Sequence, residues 1–411
     1  MPDVSVLEVL LHGVPIGTIT RFADDRTLFA FNKDYIEDAQ RPTLGLGFKD
    51  AHGQLITEQR PTHVKLLPYF SNLLPEGHMR TYLAQRADIH PAREFFLLWM
   101  LGKDLPGAIS IRPADGHAWP PAEDRGDGAD EDDHDGRRRE NALRFSLTGV
   151  QLKFSAVSEA TGGLTIPAKG VGGSWIVKLP SRGFESVAEN EFSMMTLAGK
   201  IGMNVPPIRL IDPASIRNLP EGLGTLKGQA LAIERFDRLE GDAVHIEDFA
   251  QVFGAYPDDK YGKASYRNLA TVIGAEASHA DVEEFISRLV FNALIGNADM
   301  HLKNWSLIYP DRRRAALAPA YDFVSTIAYI PDANAALKFS RTRRFDELTL
   351  EELSRLADKA LLPQKLVLDA AAKTVALFHE NWAKEKKNLP MPDAVVKAIE
   401  EHSRTIPLAR S

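Results

Sequence analysis

The sequence predicts an α+β chain of two lobes, β-rich to about residue 240 and mostly helical beyond it. Three observations lead there. Residues 3–31 alternate apolar and polar at period two, as half-buried strands do. Residues 113–141 break the pattern with Pro, Gly and charge. After Arg238 the apolar spacing becomes helical, as in Phe285, Leu289, Val290, Ala293 and Leu294.

In chain order, Val4, Val6 and Val9–Leu11 run to a His12-Gly13 turn, followed by Ile16–Thr20 and Leu28–Phe31. This reads as an antiparallel meander opening a small first domain. Pro68–Gly77 (PYFSNLLPEG) reads as a packed turn between helices, with helical pattern through Met79–Leu83 and Phe95–Leu101. The acids Asp130–Asp133 and the bases Arg137–Arg139 mark a flexible charged loop, too poor in apolar residues to offset ordering entropy. Arg144–Phe154 reads as strand, tight turn, strand, and its Gly149 turn is a weak phosphate-loop signal. Trp175–Pro180 is a buried-type strand with one charge, Lys178, which is costly there unless it is paired or snorkels at the strand end.

Ser186 and Glu189 form a capping-box pattern before a helix striped with Phe192, Met195, Ala198 and Ile201. Glu191, one turn inside, is placed either to meet Lys178 or to face solvent. Ala230–Arg238 is a further strand whose end serves as a hinge. Asp281 is expected to cap the helix bearing Phe285, and Thr349 with Glu352 to form another capping box. Four segments follow: 1–112, an insertion at 113–141, 142–240, and 241–411.

The 411 residues suffice for two or three domains, and 44% apolar with 26% charged content is ordinary for a soluble globular protein. With no cysteine, disulfides, thiolate metal sites and thiol catalysis are excluded. A formal net charge of −7 gives no global reason to bind nucleic acid unaided. No signal peptide or membrane-length apolar run is visible, so a cytoplasmic protein is expected.

The chemistry concentrates at Ile295–Asn304 (IGNADMHLKN) and Tyr321-Asp322-Phe323. Asp299 and Asn304 stand five apart, with His301 and Lys303 between them, and Asp322 follows a segment that reads as a hairpin. Phosphoryl transfer needs this inventory. One carboxylate takes the attacking hydroxyl's proton, an amide and a second carboxylate hold Mg2+, and a cation neutralises the moving phosphate. The same spacing occurs in the protein-kinase catalytic loop, with Asp322-Phe323 in the place of Asp-Phe-Gly.

Six motifs in order carry a resemblance. They are Ser146-x-x-Gly149-x-Gln151-x-Lys153, Ile176–Pro180, Asn190-Glu191, Glu234–Arg238, Asp299-x-His301-x-Lys303-Asn304 and Tyr321-Asp322. Together they resemble the HipA family, bacterial Ser/Thr kinase toxins of toxin–antitoxin systems, and the meander and FxxLLPEG run resemble that family's N-terminal subdomain. The resemblance implies a two-lobed protein-kinase-like fold with an added small β subdomain, using ATP and Mg2+. Asp299 would be the base, and Asn304 and Asp322 the Mg2+ ligands. Lys303 would neutralise phosphate, with His301 near the phosphates. Lys178 would bind the α/β-phosphates, and Gly149, Val150, Gln151 and Lys153 would cover them. Glu234 and Phe236 would flank adenine, with Asp237 near the ribose. Ser146 stands at the family's inhibitory autophosphorylation site, where added negative charge would expel the loop from the ATP site.

The resemblance also implies a protein substrate, with aminoacyl-tRNA synthetases the known target class. It further implies a small dimeric helix-turn-helix antitoxin that carries most of the DNA contact. The insertion at 113–141 is longer and more charged than the family suggests. Two other readings compete: an ATP-binding corepressor without catalysis, and a small-molecule phosphotransferase on the same scaffold.

Overall fold

The computed structural model describes residues 5–86, 89–114, 152–158, 164–166, 173–181, 183–219, 223, 225–239 and 242–410. Ser146, Gly149, Val150, Gln151 and nearly all of the 113–141 insertion lie outside them.

The N-terminal meander forms as β1 (Val6–Leu11), β2 (Val14–Arg21) and β3 (Arg26–Phe31). Two further strands, β4 (Thr62–His63) and β5 (Ile109–Pro113), complete an antiparallel sheet of order β4-β3-β2-β1-β5. Alternation puts Leu7, Val9 and Leu11 on a core with Phe29, Phe70 and Trp99. The helices Gly77–Arg86 and Glu94–Leu101 follow the FxxLLPEG run.

The next lobe holds β6 (Lys153–Ser158), β7 (Leu164–Thr165), β8 (Trp175–Lys178), β9 (Ile208–Ile211), β10 (Ile216–Arg217) and β11 (Ala230–Glu234), in the order β10-β7-β6-β8-β11-β9. Register pairs Lys178 with Lys153 on one side and Leu231 on the other. Because successive side chains alternate faces, Val177 enters the core with Ala156 and Ala232 while Lys153 and Lys178 share the other face. The helix Val187–Lys200 connects β8 to β9. Ser186 is its first flanking residue but does not cap it; the backbone there is left-handed (φ 56°), and its carbonyl accepts from the Tyr329 hydroxyl.

A two-residue ribbon, β12 (Arg238–Leu239) with β13 (Asp242–Ala243), leads into the helical lobe. There β14 (His245–Asp248), β15 (Ser306–Tyr309) and β16 (Ala316–Leu317) form a small sheet; β15 and β16 are the expected hairpin. Helices Tyr266–Glu276, His279–Leu294, Leu350–Ala360, Gln364–Glu385 and Asp393–Ser403 enclose a large core around Phe285, Phe291, Trp305 and Phe378. As with Ser186, two further caps differ from expectation. Ser278, three residues before Asp281, caps His279–Leu294 in a reciprocal capping box. Thr349 does cap Leu350–Ala360, but the buried Glu352 turns away to accept from the backbone of Ser340, Arg341 and Thr342.

No helix among the described residues is long and apolar enough to cross a membrane.

Candidate active site

The helix His279–Leu294 ends two residues before Gly296, with Ile295 as its C-cap, and the positive φ of 68° at Gly296 turns the chain toward Asp299. A Cβ at Gly296 would lie 2.4 Å from Ile327, so only glycine fits this turn. The loop beyond it is stiffened by polar side chains. Asn297 Nδ2 donates to Asn292 Oδ1 (2.8 Å) and to the Asp322 carbonyl (3.1 Å), which binds the Asp299 and Asp322 segments to each other. Asn304 Nδ2 donates to the Asp299 carbonyl at 2.8 Å, closing the five-residue spacing into a compact loop. Phe323, fully buried, packs on Phe291 at 5.5 Å between centroids and anchors the second segment.

Asp322 has φ 58°, a left-handed conformation unfavourable for a residue with a Cβ. Lys178 Nζ donates to both Asp322 Oδ1 and Glu191 Oε1, and Lys153 Nζ lies 3.6 Å from Asp322 Oδ2. The strand lysine, the helix glutamate and the second carboxylate thus meet, although they come from three distant parts of the chain. Burial works against ionising Asp322, but the ammonium groups of Lys153 and Lys178 outweigh it and hold the carboxyl well below the usual range. Burial opposes the charge on Lys178 too, and its two carboxylates reverse that, holding its pKa high. Burial pushes Glu191 up. Asn190, beside it, exchanges hydrogen bonds with the Ser325 backbone, linking the helix to the segment after Asp322.

His301 is buried, and its Nδ1 finds no partner among the described residues. Burial lowers its pKa to about 4, so the ring is neutral at pH 7. At the hinge, Glu234 ends β11, and the Phe236 ring stacks on Tyr321 at 5.9 Å, one residue before Asp322. Asp237 is differently engaged. Its buried carboxylate accepts from Arg235 (3.0 and 2.9 Å), Arg238 (2.9 Å) and the Gly107 backbone (2.8 Å), in an ion cluster that includes Asp104. A role at the ribose would require it to leave four donors. Lys303 is likewise occupied: its ammonium meets the carbonyl and Oδ1 of Asn72 (2.9 Å each), Asp248 (3.2 Å) and Glu76 (3.4 Å). Neutralising a phosphate would take it from all of them.

Three residues escaped the sequence reading. Tyr261 donates to Asp299 Oδ1 at 2.5 Å, and Asn72 and Glu76, from the FxxLLPEG run, reach the catalytic loop. Only the polar Asn and Glu inside an apolar turn hinted at the last two.

The donor set suits a nucleotide and a hard cation. Among the described residues no three His, Asp or Glu cluster to close around an ion alone. An Asp and an Asn supply oxygen ligands of the kind Mg2+ takes when phosphates and water complete its shell. The orphaned His301 Nδ1 is a polar atom that a phosphate or its water would satisfy.

A β-rich lobe and a helical lobe, a strand lysine paired to a helix glutamate, and an Asp–Asn loop facing a second Asp define a protein-kinase-like phosphotransferase. Family models match the chain in two parts: "HipA N-terminal domain" over residues 7–112 and "HipA-like C-terminal domain" over 145–382. The chain therefore belongs to the HipA family, and it is a kinase. It is 57% identical to the Sinorhizobium fredii protein named "Putative kinase Y4dM", over 100% of this chain and 99% of that one. It is 26% identical to "Serine/threonine-protein kinase toxin HipA" of Shewanella oneidensis, over 98% and 94% of the two chains. A solved Shewanella oneidensis structure, described as HipA with HipB and its operator DNA, shares the fold, with a TM-score of 0.73 at 21% identity, covering 98% of this chain and 96% of that one.

Proposed function

We propose that the chain is a cytoplasmic, ATP- and Mg2+-dependent serine/threonine protein kinase that acts as the toxin of a toxin–antitoxin pair. The observation that carries this reading is the meeting of Lys178 with Glu191 and Asp322, in a family fold whose Asp299 loop is bound to the Asp322 segment through Asn297. Asp299 accepts the proton of the attacking hydroxyl. Lys178 and Lys153 hold the nucleotide's phosphates, and neutral His301 donates to them from the buried side. Glu234 and Phe236 flank the adenine through the hinge. Mg2+, held by Asn304 and Asp322, would neutralise charge on the transferred phosphoryl group.

The substrate is a protein hydroxyl on a translation-related target, an aminoacyl-tRNA synthetase being the family's precedent. Phosphate on Ser146 switches the enzyme off, with Gly149, Val150 and Gln151 in the loop it displaces. The partner is a helix-turn-helix antitoxin dimer that provides most of the DNA contact, in keeping with the net charge of −7 on this chain and with the HipB and operator DNA named in the Shewanella structure. The test is transfer from labelled ATP to protein in the presence of Mg2+. Label appearing in a metabolite, or ATP binding with no transfer and no phosphate already on the chain, would reject the protein-kinase assignment.

A further inference from the structure

We propose that Tyr261 and Lys260 are positioning residues for Asp299, and that Glu76 of the N-terminal subdomain holds them in place. The inference rests on the kinase reading and adds to it the acceptor side of the site.

The Tyr261 hydroxyl donates to Asp299 Oδ1 at 2.5 Å, and its ring meets His301 edge-on at 5.0 Å and 83°. The phenol is therefore fixed against both ends of the Asp-x-His pair while 48% of the residue faces solvent. A half-exposed tyrosine needs no carboxylate partner to satisfy its hydroxyl, since water would serve. The contact is explained by what it does to Asp299. A carboxylate on a short side chain rotates between hydrogen-bonding partners, and a donor fixed on Oδ1 leaves Oδ2 as the oxygen turned to an incoming hydroxyl. Burial and then the bond to Asp299 push the Tyr261 phenol up, so it remains a proton donor across the physiological range.

The segment bearing Tyr261 is itself held on two sides. The Lys260 carbonyl accepts from the Leu302 backbone at 3.3 Å, inside the catalytic loop. The Lys260 ammonium meets Glu76 Oε2 at 2.7 Å and lies 5.6 Å from the centroid of the Tyr261 ring. Glu76 Oε1 lies 3.4 Å from Lys303, so one carboxylate joins the two segments that flank Asp299. Its own position is set by the FxxLLPEG turn, where Asn72 Nδ2 donates to the Ala255 carbonyl at 2.7 Å while the Asn72 carbonyl and Oδ1 receive Lys303. A path of direct contacts runs from the N-terminal subdomain through Glu76 and Lys260 to Tyr261 and the base.

The test uses the full chain with Mg2+ and labelled ATP. It follows the initial rate of phosphate incorporation into the chain against ATP concentration, the ATP Kd by equilibrium dialysis, and the urea midpoint. Tyr261→Phe, Lys260→Met and Glu76→Gln should each lower kcat by about ten- to a hundredfold with ATP Kd as in wild type, and Tyr261→Phe should do so with the wild-type urea midpoint. The double variant Lys260→Met/Tyr261→Phe should lose no more than the worse single change, because both act on one path. A Tyr261→Phe chain with wild-type kcat would overturn the inference. So would losses of kcat matched by losses of ATP binding and urea resistance, which would make the contacts structural only. Phosphate mapped to Tyr261 itself would make it an acceptor and also overturn the positioning role. No transfer by wild type, with ATP bound and no prior phosphate, would instead remove the kinase reading beneath it.

Discussion

Lys178 and Asp322, 144 positions apart, form an ion pair inside the cleft, and the same ammonium holds Glu191. Lys178 is 4% exposed and Glu191 1%, so neither charge has water to fall back on. Replacing Lys178 by Met leaves two carboxylates together, with Lys153, 3.6 Å from Asp322, as the remaining lysine partner among the described residues. Breaking a buried pair in this way costs about 3–5 kcal/mol. The Lys178→Met chain should show a lower urea midpoint at pH 7 and a large loss of ATP affinity. An unchanged midpoint would mean that Lys178 is not the charge on which this cluster depends.

The proposed cation site predicts how ATP binding responds to Mg2+. In wild type, added Mg2+ should tighten ATP binding. Losing one ligand to a charged group is worth about tenfold, so Asn304→Ala should weaken Mg2+-supported binding by about that factor and leave Mg2+-free binding unchanged. Calorimetric titration with and without Mg2+ separates the two. Equal losses under both conditions would place Asn304 outside the metal site.

Glu247 predicts a pH dependence of stability away from the cleft. Burial raises its carboxyl from 4.5 to about 7, although Tyr309 and the Leu46 N–H both donate to Oε1. The folded state therefore keeps a proton that the unfolded state has already lost between pH 4.5 and 7. Stability from this residue falls as pH rises through that window and is level above it, a change on the order of 3 kcal/mol. His245 has the opposite slope: burial lowers it to about 4, so its contribution rises with pH between 4 and 6.5. Comparison with Glu247→Gln isolates the first effect. Urea midpoints of the variant relative to wild type should improve from pH 5 to 7 and level off above that, and a constant difference across pH 5 to 7 would refute the assignment.

Much of the cleft was legible because its parts are local. The short apolar run Trp175–Lys178 identified a buried-type strand with one costly charge, and the Asp299–Asn304 spacing and following hairpin are short-range patterns. The order of these pieces then pointed to the family. Choices resolved only by tertiary contact were not legible. Glu191 read equally as a solvent residue, and the structure buries it on Lys178. Asp237 lies at the hinge in sequence, but arginines two residues before and one after it draw its carboxylate toward Gly107. The apolar FxxLLPEG turn hid a second task, since Asn72 meets Lys303 across 231 positions. The Thr349–Glu352 capping box is half made for a related reason: Thr349 caps the helix, but tertiary structure recruits Glu352 to three other backbone N–H groups.

The central claim is that Asp299 is the base of a protein kinase, and one experiment reaches it directly. The purified chain is incubated with Mg2+ and labelled ATP beside Asp299→Gln, and phosphate is mapped by mass spectrometry. Loss of a general base lowers transfer by about 10²–10⁴-fold. Phosphate on Ser146 in wild type, with almost none in an Asp299→Gln chain that still binds ATP, is the predicted result. Transfer at comparable rates in both chains would contradict it.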